Sequence, residues 1–332
     1  ERLVGTTLDV EAGVRYDYLA RTASIDRIDY LRLVRSGQLA MDACSGGVGD
    51  PVDCRSRFHT VSASVGVRRA LSTAAAVKLD LSTASRPPNP DEQYLNGTAP
   101  TFPVLGLGKP DLGAETTYAA TATFDYQSDR LAAQASAYVN RIDDYIEFAP
   151  AIGDDGQPIF DVLIRGTFPR FVTRPVDALF WGADGGVTAR PWPWLEAAIT
   201  AQAVRAKDRG DGSYLAFIPP DRLRAAVTGR APCVGPLHDV EATVDVTAVA
   251  RQGRSDLLTD LAAPPAAYAL LGAELAATVT AAAQPLRLAL SATNLTATRY
   301  RDYTSLLRYF ADQPGRQVFL RVTGHFGATS SH

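Results

Sequence analysis

The sequence predicts an all-β fold, a transmembrane antiparallel up-and-down β-barrel. Three observations predict it: period-two alternation of apolar and polar residues in segment after segment, connections that alternate long and short, and aromatic residues at segment ends. Composition sets the bounds. Of 332 residues, 46% are hydrophobic and 21% charged, with a formal net charge of -3, enough for a folded body and not the basic surface that nucleic acid requires. The longest apolar stretch, 262–283, contains Pro264, Pro265 and Glu274 and falls short of the roughly 18 uninterrupted apolar residues of a spanning helix. Barrel strands escape that test, because about 10 residues suffice and only every second one faces lipid.

The first run, 7–24, sets Leu8, Val10, Ala12, Val14, Tyr16 and Tyr18 against Asp9, Glu11, Gly13, Arg15 and Asp17. After a long connection (25–56) the pattern returns at 57–70, where Val61, Ala63, Val65 and Val67 alternate with Ser62, Ser64, Gly66 and Arg68, and after a short turn near Leu71 at 73–85. Further runs cover 115–127, 131–148, 168–190, 195–207, 221–231, 238–253, 267–281, 285–297 and 316–326, making about twelve strands. In 238–253 Val240, Ala242, Val244, Val246 and Ala248 oppose Glu241, Thr243, Asp245 and Thr247, so charge stands where a globular sheet would need a second core. Long connections (25–56, 86–114, 149–167, 208–220, 254–266, 298–315) alternate with short ones near 71, 128–130, 191–194, 232–237 and 282–284. Short turns on one side and long loops on the other are the mark of an outer-membrane barrel. Tyr16, Tyr18, Tyr145, Phe148, Trp192, Trp194 and Phe326 lie near strand ends, as interfacial girdles require.

Cys44 and Cys54 stand ten positions apart in a Gly/Asp/Pro-rich stretch, a spacing that suits a disulfide worth roughly 2–3 kcal/mol in an oxidising compartment, or else two reduced loop thiols. Cys233 is alone in a Pro/Gly turn. His59, His238, His325 and His332 are scattered without metal-ligand spacing. Asp143, Asp144 and Glu147 read as a hydrated strand end rather than an acid/base pair. The turns 153–156 and 208–212 complete no calcium loop, and 106–109 no phosphate loop. No nucleophile, base and orienter come together, so no catalytic residue, metal ligand or cofactor is expected.

Two stretches, S-R-P-P-N-P-D-E-Q-Y-L-N-G at 85–97 and G-K-P-D-L-G-A-E-T-T-Y at 108–118, carry a more specific signal, followed by A-Y-V-N-R-I-D-D-Y-I-E-F at 137–148 and by N-L-T-A-T-R-Y-R-D-Y with P-G-R-Q-V within 294–318. Pro87, Pro88 and Pro90 end a strand because they cannot donate to a ladder. In order and spacing these four motifs resemble the barrel of TonB-dependent receptors over nearly the whole chain. Lys109 departs from the family's usual Asn. Phe326 resembles the terminal residue read by outer-membrane assembly machinery, although residues 327–332 follow it as a tail. The resemblance implies about 22 strands enclosing a plug, so residues 1–326 are expected to be the C-terminal part of that barrel, with plug and TonB box outside this chain.

The resemblance further implies the bacterial outer membrane, a monomer in outer-membrane lipid, and uptake of a scarce nutrient such as an iron chelate, haem, cobalamin or a metal, coupled through the plug to the TonB complex. Ligand contact is expected on the long loops at Asp91, Glu92, Tyr94 and Asn96, and at Arg299, Tyr300, Arg301 and Tyr303, because a barrel holds such loops rigidly at its mouth. Two other readings stay open: a passive pore closed by these twelve strands alone, and a soluble β-sandwich interaction protein, for which the sequons at Asn96 and Asn294 matter only in a eukaryotic secretory setting.

Overall fold

The computed structural model describes residues 2–5, 7–45, 48–98, 103–255, 260–281 and 284–324. Phe326, the 327–332 tail, His325, His332 and all but Gln284 of the last short turn lie outside them. In chain order the strands are β1 (Arg2–Val4), β2 (Leu8–Ile25), β3 (Val52–Ala70), β4 (Ala75–Arg86), β5 (Asn96–Thr98), β6 (Leu105–Leu107), β7 (Glu115–Gln127) and β8 (Leu131–Pro150). They continue as β9 (Phe160–Leu163), β10 (Gly166–Trp192), β11 (Leu195–Asp208), β12 (Arg222–Val234), β13 (Leu237–Val249), β14 (Tyr268–Ala281), β15 (Gln284–Thr293) and β16 (Gln317–Gly324). Helices α1 (Arg27–Arg35) and α2 (Pro90–Tyr94) sit in the first two long connections.

Neighbours along the chain pair antiparallel in the order β1-β2-β3-β4-β7-β8-β10-β11-β12-β13-β14-β15-β16. Each of the expected runs is a strand of this path, and β5, β6 and β9 are short additions within the long connections. Among the described residues β1 and β16 do not pair with each other, and the sheet is open. No described helix is long and apolar enough to cross a membrane.

Register carries the alternation from strand to strand. Val10, Val67, Leu79, Ala122, Ala137 and Ala183 stand side by side across β2 to β10. Ala197, Val227, Val244, Ala273, Ala292 and Val318 do the same across β11 to β16. One face is therefore uninterruptedly apolar, yet Val14 is 81% and Leu320 68% exposed. Such a face needs hydrocarbon against it, since valine and leucine left in water would forfeit about 1.5–3 kcal/mol each. The opposite face carries Asp80, Thr121, Gln134, Gln202 and Arg224. Near the short turns it holds a chain of ion pairs, Arg190–Glu196 (2.8 Å), Glu196–Arg230 (3.2 Å), Arg230–Glu241 (3.1 Å) and Glu241–Arg287.

The alternation in sequence does not show a register shift that the structure places at Asp143-Asp144. Val176 pairs with Tyr145 and Ala178 with Ile142, so the bulge sets two residues of β8 against Asp177. Asp144 takes the left-handed conformation there (φ 57°). The inserted residue reverses which side chains of β8 face inward, and Ile142 and Tyr145 both join Val176, Ala178, Phe180, Ala206 and Leu215 in an inner cluster. Glu147 is consequently not on a hydrated rim: it is 6% exposed and binds Arg174 at 2.8 Å. Asp143 pairs with Arg141 at 2.9 Å.

The two faces make opposite predictions. Leu79→Arg, near the middle of the apolar band, should destabilise the protein in lipid vesicles by about 2–4 kcal/mol in urea titrations. Thr121→Arg, facing inward beside Asp80, should cost less than about 1 kcal/mol.

Candidate functional site

All the long connections leave one end of the sheet, and their packing there forms the mouth. Asp26 starts α1 by accepting from the Ile28 amide at 2.8 Å. Tyr30 and Leu33, both fully buried, point from α1 into a core made with Leu39, Val52, Leu105, Leu107, Val172 and the Cys44–Cys54 disulfide. The disulfide is thus present, with its Cα atoms 4.5 Å apart. It ties the first long loop to β3, and β3 starts at Val52, five residues before the sequence expectation, because the backbone of β2 out to Ile25 needs a partner.

The second long loop is fastened by the residues of its motifs. Glu92 accepts from the Asn89 amide (2.6 Å) at the start of α2 and binds Arg86 (2.8 Å). Arg86 also binds Glu115 (2.9 Å), which opens β7 and accepts from the Ile146 amide at 3.2 Å. Gln93, fully buried, donates to the Pro110 carbonyl (2.9 Å) and accepts from Arg21, which also donates to the Pro88 carbonyl at 3.0 Å. Gly108 lies so close that a Cβ would stand 2.6 Å from the Gln93 carbonyl carbon. The chemistry of the motif is therefore that of a clamp joining β2, β4, β7 and the loop.

A second cluster joins the connections 209–221, 250–267 and 294–316. Arg308 and Asp260, with side chains 1% and 2% exposed, pair at 2.5 Å. The Tyr309 hydroxyl donates to the same carboxylate at 2.6 Å. The Arg308 guanidinium lies 4.4 Å from the Tyr309 ring centroid, 4.6 Å from that of Tyr303 and 5.7 Å from that of Phe217. Burial, reinforced by the Asp260 carboxylate, pushes the Tyr303 phenol up to about 12, and the Tyr309 phenol is raised for the same reasons. Phe217 holds a left-handed backbone (φ 58°), a strained state that this box of rings sustains. Arg316, of the P-G-R motif, donates to the Leu295 carbonyl at 3.0 Å, and buried Asn294 accepts from the Thr298 amide at 2.9 Å.

The expected contact residues fall into two separate groups. On the first loop Glu92 belongs to the clamp, Tyr94 meets Ser56 through its hydroxyl (3.4 Å), and Asn96 binds the Asp29 carbonyl and Arg32, both at 3.0 Å. Asp91 is exposed. On the last loop Tyr303 is buried under Arg308, and Arg301 binds Asp312 at 2.7 Å. Arg299, Tyr300 and Arg301 line a cleft of about 220 Å³ with Tyr268, whose ring is 4.5 Å from that of Tyr300. A larger polar groove of about 770 Å³ lies between the strands, lined among others by Asp125, Gln134, Asp184, Gln202 and Arg224. Sequence reasoning did not find Gln93, Asp260 and Arg308: Gln93 and Arg308 lie within the quoted stretches and Asp260 in the 254–266 connection, and nothing in a linear sequence marks them as buried. Cys233 is exposed, with its Sγ 3.3 Å from His238 Nδ1 across a two-residue turn. Among the described residues no three His, Cys, Asp or Glu side chains converge in position to hold a metal.

A family model described as a TonB-dependent receptor-like β-barrel matches residues 2–295. No curated protein matches the chain in sequence. Among solved structures it is similar to the copper transporter OprC at a TM-score of 0.71 and 17% identity, over 96% of this chain and 46% of that one. Similarity to the FrpB iron transporter of Neisseria meningitidis (F3-3 variant) has a TM-score of 0.62 and 15% identity, over 97% and 43% of the two chains. For the siderophore receptor PirA of Acinetobacter baumannii the TM-score is 0.61 at 14% identity, over 97% and 52%. The chain thus spans about half the length of the structures it matches.

Two variants test the mouth. Arg308→Met strands the buried Asp260 carboxylate and should loosen residues 298–315 by about 3–5 kcal/mol in hydrogen exchange, with much of the loss recovered in Arg308→Met/Asp260→Leu. Cys44→Ser/Cys54→Ser should weaken local order by about 2–3 kcal/mol, so that trypsin cuts within α1 faster while the barrel's heat-modifiable migration on gels is unchanged.

Proposed function

From the premise that this chain belongs to the TonB-dependent receptor-like β-barrel family, whose members here are receptors and transporters of the bacterial outer membrane rather than enzymes, we propose that it serves the active uptake of a scarce nutrient. The cargo is a metal or a metal chelate. What carries the reading is the build of the mouth: long loops fastened by the Arg86–Glu92–Glu115 clamp and the Asp260–Arg308 pair on top of a lipid-facing sheet. Loops held that firmly present a preformed surface, which lowers the ordering cost of binding. The copper, iron and siderophore transporters of similar fold support the cargo class, and haem and cobalamin remain within the same proposal.

Uptake of this kind draws on an inner-membrane energy source, and we assign the coupling to a plug contacted by TonB, within a monomeric barrel of which residues 1–326 form the C-terminal part. The open edges of β1 and β16 favour that reading over a passive pore closed by these strands alone. Ligand contact is assigned to the exposed Asp91 and to the cleft of Arg299, Tyr300 and Arg301. Glu92, Tyr94, Asn96 and Tyr303 position the loops.

Deleting the full gene should abolish high-affinity uptake of one iron, copper or chelate cargo measured with radiolabelled metal; unchanged uptake of every such nutrient would sink the proposal. Arg299→Ala/Tyr300→Ala should raise the half-saturating cargo concentration about tenfold, equivalent to ~1.4 kcal/mol, at an unchanged amount of receptor in the outer membrane.

A further inference from the structure

The outward face of β3 continues above the apolar band as Val61, His59, Arg57 and Arg55. Pairing of β2 with β3 runs unbroken from Leu8–Arg69 to Ile25–Val52, so these side chains share the face of Val65 and Val67, while Val52, Cys54, Phe58 and Thr60 turn into the mouth and are buried. Tyr16 and Tyr18 flank the patch from β2. The Tyr16 hydroxyl is 2.8 Å from His59 Nδ1, and the Tyr18 ring centroid is 4.9 Å from the imidazole.

Height follows from strand geometry. On a strand rising about 3.4 Å per residue and tilted about 45°, the twelve positions from the turn at Leu71 to His59 climb roughly 29 Å, the upper edge of a ~25 Å apolar band. Arg57 and Arg55 then stand about 5 and 10 Å higher, outside hydrocarbon and level with lipid head groups.

Charge balance marks these two arginines at the mouth end of the outward face. Arg141 on the same outer face of β8 is neutralised by Asp143 at 2.9 Å, and Arg86 by Glu92 and Glu115. Arg55 and Arg57 are exposed, and no carboxylate of a described residue lies within ion-pair distance of either. Of the nearby acids, Asp111 is neutralised by Lys109 (2.8 Å), and Asp53, two residues farther out, is turned to Ser24 Oγ (2.7 Å), which leaves two arginines and one carboxylate on this stretch of β3. Between β3 and 110–114, where β3 has already lost β4 as a neighbour, Arg55, Arg57 and His59 line a cavity of about 430 Å³ together with Asp111, whose charge Lys109 offsets.

We propose that Arg55, Arg57 and His59 form a binding site for the phosphate of an outer-leaflet lipid head group, with Tyr16 and Tyr18 resting on its acyl boundary. Guanidinium forks match phosphate oxygens two at a time, and a paired cation at head-group height gains from the surface charge of the leaflet. The site rests on the outer-membrane location and is independent of the transported cargo.

The test uses the full-length receptor, delipidated in detergent and reconstituted with micelles containing bisphosphorylated bacterial lipid A. Lipid retained through gel filtration is counted by phosphorus and fatty-acid analysis. The site requires that Arg55→Gln/Arg57→Gln lower retention at least about fivefold, that Arg55→Lys/Arg57→Lys fall between, and that Arg165→Gln, an exposed loop arginine, change nothing. Heat-modifiable migration confirms that each variant is folded. Equal retention by the double Gln variant, equal loss in Arg165→Gln, or equal retention of dephosphorylated lipid would each overturn the proposal. Displacement of the lipid by inorganic phosphate would identify a free-anion site and overturn the lipid assignment.

Discussion

Every strand of this molecule must give its backbone N–H and C=O groups to a neighbouring strand, because the face it presents outward has no water to bond them. That requirement explains the unbroken β2–β3 register and the length of β10. It also explains why the alternation of side chains cannot slip, since a shift of one residue would turn Asp80 and Lys78 into hydrocarbon and Leu79 into the hydrated face. Loops, ion pairs and aromatic contacts are arranged around this lattice of hydrogen bonds, and they take their positions from it.

The polar side follows different energetics. The ladder from Arg190 to Arg287 joins partly exposed groups, and solvent screening leaves such pairs worth little individually. The Asp260–Arg308 pair lies where water is absent, so breaking it leaves a bare charge. Equal-looking ion pairs thus do unequal things: those between the strands keep a wet surface soluble, and the one in the mouth fixes how three connections meet. The clamp around Arg86 stands between these extremes, partly shielded and shared by two carboxylates.

The barrel strands were legible in the sequence because lipid on one side and water on the other impose a period of two on residues that a globular core would leave irregular. Cys44 and Cys54 were legible from their spacing. Helix α1 was not, because nine residues of mixed polarity carry too few apolar positions to stand out, and its fold depends on burying Tyr30 and Leu33 against residues from β3, β6 and β10. The bulge at Asp143-Asp144 was read as a strand end because two aspartates usually mean solvent. At the mouth, motif positions were visible but their tasks were not: whether Glu92 meets a ligand or Arg86 depends on how the loop folds back over β4, which alternation does not encode.

The connections also divide the molecule by how freely it can change. At 193–194 and 235–236 two residues join adjacent strands, and adding one would throw the pairing on both sides out of step. At the opposite end, segments such as 294–316 can lengthen, shorten or exchange residues while the strands that bracket them keep their partners. A lineage carrying this architecture can therefore try new recognition surfaces at one rim without relearning how to assemble, and the rigidity of the short turns is what makes the long loops evolvable.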